Sequence, residues 1–130
     1  MDIHEKTFER LVHDALAQLP ERISTHITNV AFCIEEAATN DQLRKAGVGK
    51  GSALLGLYEG VPKNVWGRDE VAHPPDKITI FRKPILAQAA TPEAVIALVQ
   101  EVVWHEVAHH FGFDEHGARS LDRKRRKSIR

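Results

Sequence analysis

His105-Glu106-Val107-Ala108-His109-His110-Phe111-Gly112-Phe113-Asp114-Glu115 decides how this chain is read. Two histidines four residues apart, with a glutamate directly after the first, give the pattern H-E-x-x-H. On a helix, His109 stands one turn above His105 and only roughly 40° round the axis, so both imidazoles can reach one metal ion. Glu106 lies roughly 100° from His105, off the shared coordination position but beside any water held there. His110, roughly 140° away, leaves the ligand face and reads as a supporting or structural residue. The pattern predicts a metal-activated water with Glu106 as its general base, which is hydrolase chemistry, and zinc as the expected ion.

Catalytic zinc commonly takes three protein ligands and leaves one position for water. After His109 the chain holds only three acids, Asp114, Glu115 and Asp122. Gly112 falls seven residues after His105, roughly 340° round the helix and so back on the ligand face. In H-E-x-x-H-x-x-G-x-x-H a glycine at that place turns the chain so that the tenth residue after the first histidine returns to the metal. That tenth residue is Glu115. Glu115 is the expected third ligand, with Asp114 and His116 as the alternatives one residue to either side.

Working outward, Thr91-Pro92-Glu93 opens a helix in good order: an N-cap hydroxyl, proline at the first helical position, and an acid at the positive dipole end. The helix is predicted over 92–111, with Gly112 as its stop. Val95, Ile96, Leu98, Val99, Val102, Val103, Val107 and Phe111 surround most of its circumference, which predicts a buried helix and a rigidly held site. Towards the N-terminus, Phe8, Leu11, Val12, Ala15, Leu16 and Leu19 recur at helical spacing over 3–19, and Pro20 ends the run. His4 and His13 on that helix read as structural residues. Residues 27–34 are rich in β-branched and aromatic side chains and read as a strand closed by Glu35 and Glu36. Residues 54–60 give a short strand, and residues 77–82 an alternating one after Pro74-Pro75. Residues 85–90 fit either a strand or a helical turn. The stretches 37–52 and 61–75 read as connections, the second long enough to wall a binding site. Gly47-Val-Gly-Lys-Gly-Ser52 lacks the spacing of a phosphate loop. A short final helix is expected over 114–121. The class is α+β.

The chain's 130 residues suit one domain with one core. Basic and acidic residues balance at 18 each, so net charge names no partner. From Gly117 to Arg130, seven Lys/Arg stand against Asp122 alone, a local +6 that the rest of the chain offsets. No aromatic platform accompanies this basic run, so a solvated tail over 123–130 is expected and no nucleic-acid partner. A single cysteine, Cys33, leaves no internal disulfide and fits a reducing compartment. With no signal-peptide pattern and no membrane-length apolar run, a cytoplasmic protein without a membrane partner is expected. Nothing in the sequence sets the oligomeric state.

With these segments in view, the sequence resembles the small bacterial zincin-like proteins of minimal metallopeptidase fold. The likeness runs from Phe8 to Leu121. It is carried by Leu55-Gly-Leu-Tyr-Glu-Gly60 with Pro62 beyond, by Pro75-Asp-Lys-Ile-Thr-Ile-Phe81, and by the His105 to Glu115 stretch. The resemblance implies a minimal zincin-like α+β fold over 1–122. Its parts are an N-terminal helix, a small mixed sheet of about three to four strands, a long buried metal-site helix and a short C-terminal helix. It further implies zinc on His105, His109 and the acid after Gly112, and a peptide or protein substrate. Leu57 and Tyr58 would then lie on an edge strand along which an extended peptide docks, although Tyr58 alone reads first as a half-buried strand aromatic. Two departures from full-size metzincins stand out. Met1 is the only methionine, so no Met-turn underlies the metal, and little chain remains for a lower subdomain. The expected activity is therefore zinc-dependent cleavage of peptides. The competing reading is a non-catalytic metal-binding or regulatory protein that keeps the fold.

Overall fold

The computed structural model describes residues 3–25, 27, 29–49, 53–60 and 76–111. In chain order these form α1 (Glu5–Ala17), α2 (Glu21–Ser24), β1 (Val30–Glu35), α3 (Asn40–Lys45), β2 (Gly56–Glu59), β3 (Asp76–Phe81), α4 (Arg82–Gln88) and α5 (Pro92–His110). The expected final helix over 114–121, the basic tail and the 61–75 connection lie outside the described residues.

The strands form a three-stranded mixed sheet in the order β1-β3-β2. β1 runs parallel to β3, pairing Val30 with Asp76 through Glu35 with Phe81. β2 runs antiparallel on the other side, pairing Gly56 with Ile80 and Tyr58 with Ile78. Alternation along a strand puts Asp76, Ile78 and Ile80 on one face, together with Gly56 and Tyr58 of β2. That face meets the helices: Ile78 and Ile80 join Phe8, Val12 and Ala15 of α1, Ile85 and Leu86 of α4, and Val95, Val99, Val103 and Val107 of α5 in one apolar core. Central position explains why β3 is buried on both faces, with Thr79 and Phe81 also shielded. The α+β class and the small mixed sheet stand as expected.

Helix α5 is laid down by its start signals. Thr91 Oγ1 accepts from Ala94 N–H at 3.1 Å, and Pro92 occupies the first turn. Its burial is less uniform than its apolar composition predicts. Ile96 is 41% exposed, the first turns keep an open side, and only from Val102 onward is the helix enclosed. Within 102–110, only His105 and His109 are not fully buried. The helix therefore opens to solvent mainly at the two histidines in that stretch.

Three elements depart from expectation. The polar stretch 37–52 contains α3, started by a complete capping box: Gln42 N–H donates to Thr39 Oγ1, and Thr39 N–H donates to Gln42 Oε1. The undecided 85–90 region is helical as far as Gln88, in a helix that begins earlier, at Arg82. The turn α2, after Pro20, has no counterpart in the sequence reading.

Candidate metal centre

The last two turns of α5 bring His105, Glu106 and His109 together, with one ligand atom from each lying within 4.8 Å of the others. The Nε2 atoms of His105 and His109 are 3.2 Å apart and their rings cross at 74°. Tetrahedral zinc with Zn–N bonds of about 2.0–2.1 Å spaces two nitrogens roughly 3.3 Å apart. The pair is therefore presented at the separation such an ion requires, and the donor set fits it. Both histidines are half-buried, and Glu106 is buried at 8% exposure. Glu115, expected as third ligand, lies outside the described residues, as do Gly112, Asp114 and His116.

These groups line a cleft of about 980 Å³ between α5 and the β2 edge. Leu98, Glu101 and Val102 extend its floor along α5, Leu54, Leu55 and Gly56 form the strand wall, and Lys45, Ala46 and Val48 supply a rim. The segment following α3, read from sequence as a plain connection, thus borders the site. Lys45 Nζ meets Glu59 Oε2 at 2.9 Å and ties that rim to the strand. Leu57 and Tyr58 both line the cleft, but pairing with Thr79 puts Leu57 on the sheet face opposite Gly56 and Tyr58.

Gly56 went unnoticed in the sequence. A Cβ there would stand 2.7 Å from Val102 Cγ1 and 3.1 Å from Glu106 Cγ, so the missing side chain lets β2 lie directly against the base of Glu106. Asp76 was also missed. It is fully buried, and its Oδ2 takes the Tyr58 hydroxyl at 2.9 Å and His110 Nδ1 at 2.6 Å. The one available signal was an aspartate opening an apolar strand, where that residue is disfavoured. His110, expected off the ligand face, is there: it is 2% exposed and turned to the sheet.

A helix carrying H-E-x-x-H across the floor of a cleft, with an edge strand as the wall, defines a zincin-like site. The chain belongs to the zincin-like metallopeptidase family, whose model matches residues 27–124. Among solved structures, a conserved hypothetical protein from T. thermophilus is similar in fold, with a TM-score of 0.54 and 22% identity over 82% of this chain and 92% of the other. A comparison with curated proteins returns no match. Among the described residues no helix is long and apolar enough to cross a membrane.

Proposed function

We propose that the chain is a zinc-dependent peptidase acting on short or unfolded peptides. His105 and His109 serve as ligands, Glu115 as the third ligand, and Glu106 as general base. The observation that carries this reading is the convergence of the two Nε2 atoms, 3.2 Å apart, beside a buried carboxylate on a cleft floor. When bound, zinc supplies a Lewis acid that acidifies a coordinated water and polarises a carbonyl.

The chain's own residues do the rest. To offer Nε2 lone pairs, His105 and His109 each keep their proton on Nδ1. Glu106 takes a proton on its carboxylate during attack and returns it to the departing amine. Its burial strengthens that exchange, because competing water is excluded. Among the described residues β2 is an edge strand, and its outer side offers main-chain donors and acceptors to an extended peptide, which supports a peptide substrate.

The test pairs metal content with hydrolysis of a broad peptide library. Glu106→Gln should keep its zinc and lose cleavage by about 10²- to 10⁴-fold, the range of a general base. A wild type that binds zinc and cleaves nothing, with Glu106→Gln behaving the same, would sink the peptidase and leave a metal-binding or regulatory protein.

A further inference from the structure

Asp76 opens the central strand with its carboxylate fully buried. Removing a carboxylate from water costs several kcal/mol unless donors compensate it, so such a group persists only where it is held on purpose. Two donors reach the same oxygen. Tyr58 gives its hydroxyl proton at 2.9 Å, and His110 Nδ1 stands at 2.6 Å. The two rings also meet edge to face, with centroids 5.9 Å apart. Gly60 completes the niche, since a Cβ there would collide with Oδ1 of Asp76.

The donors come from the two sides of the cleft. Tyr58 belongs to the strand wall, and the antiparallel register makes it a diagonal neighbour of Asp76 across β2 and β3. His110 follows His109 directly on the last turn of α5. One buried oxygen therefore holds both the wall against which a peptide would lie and the turn that carries a ligand histidine. We propose that Asp76 is a positioning residue whose carboxylate couples the strand wall of the cleft to the metal-site turn, Tyr58 being one arm and His110 the other. The Tyr58 proton is committed to Asp76, so Tyr58 meets the cleft with its ring and does not donate to a substrate. This proposal rests on the metal-site reading above.

The two arms make separable predictions. Tyr58→Phe loosens the wall alone: the KM for a cleaved peptide rises about tenfold, while the zinc Kd stays within twofold. His110→Ala loosens the turn: the zinc Kd rises about tenfold, the low end of what outer partners of metal ligands contribute. His110→Asn, which restores a donor near the Nδ1 position, recovers most of that affinity. Asp76→Asn, which keeps the volume and removes the charge, shows both effects at once.

The measurements are zinc titration against a chromophoric chelator, peptide kinetics, and the unfolding midpoint of each variant. The proposal is overturned if Asp76→Asn and His110→Ala lower the midpoint but leave zinc affinity within twofold, which is a purely structural role. It is equally overturned if Tyr58→Phe weakens zinc as much as His110→Ala does. A wild type that cleaves no peptide defeats the peptidase reading only, and the zinc affinities then still judge Asp76. A wild type that takes up no zinc defeats both.

Discussion

The smallest residue in the cleft sets the tightest constraint on its chemistry. Gly56 presses the backbone of β2 against Val102 and the base of Glu106, leaving no room for a methyl group. Gly56→Ala must push the strand, the Val102 side chain or Glu106 by a few tenths of an ångström or more. Overpacking of this kind costs about 1–3 kcal/mol in stability. With Glu106 as the general base proposed above, displacing it also costs rate, and kcat should fall about 10- to 100-fold. The zinc Kd should not change, because the nearest atoms to an added Cβ belong to Val102, Glu106 and Thr79 and to neither histidine. Zinc titration beside kcat measurement decides it, and equal losses in both would show that the whole turn has moved. At this scale the sequence was legible where chemistry has a fixed spacing. His105, Glu106 and His109 are recognisable because a metal requires two ligands one helical turn apart. Gly56 and Asp76 were not, because their meaning comes from contacts made only in the fold, Gly56 with Val102 and Glu106 of α5 and Asp76 with Tyr58 and His110.

Among the elements, α4 is held at its start by one buried cation. Arg82 is 9% exposed, donates through Nη1 to both carboxylate oxygens of Glu36 at 3.1 and 3.2 Å, and through Nε to Ile3 O at 3.2 Å. It thus ties the end of β1 and the entry to α1 to the turn that launches the helices. Arg82→Met should lower the unfolding free energy by about 2 kcal/mol, since charged hydrogen bonds contribute about 1.5–3 kcal/mol each but Glu36 is free to rehydrate. Denaturant unfolding measures it, and a loss below about 0.5 kcal/mol would show the ion pair to be incidental. A second test concerns α3, a six-residue helix with no buried residue. Thr39→Ala removes its cap and should cost about 1 kcal/mol of local stability, read by faster amide exchange at Gln42 and Leu43. The same comparison explains which elements could be read from sequence. α1 and β3 carry enough apolar period to show themselves, and α5 shows itself by its long apolar run opened by Thr91 and Pro92. α3 is too short and too exposed for periodicity, and its stretch read as a connection although Thr39 and Gln42 close a capping box there. The start of α4 at Arg82 is set by tertiary contacts to Glu36 and Ile3, which no local pattern encodes.

For the whole molecule, the question is whether the metal makes the fold or is added to it. Small metal-dependent domains that lack a core are unfolded without their ion. Here Phe8, Ile78, Ile80, Ile85, Val95 and Val99 are fully buried between the sheet and three helices, none of them belonging to the metal group. The apo-protein should therefore fold, with zinc adding stability by mass action. At a free zinc concentration about 1,000 times Kd, that addition is about 4 kcal/mol. For a domain of this size it corresponds to a rise in unfolding midpoint of roughly 10–20 °C. Thermal unfolding with and without a strong chelator reads it directly, and coincident curves would exclude a site that binds the native state. The same experiment assigns the third ligand. If Glu115 completes the site, Glu115→Ala should erase most of the zinc-dependent rise and leave the chelated midpoint unchanged, while Asp114→Ala and His116→Ala keep the rise. The opposite pattern would move the ligand one residue along the chain.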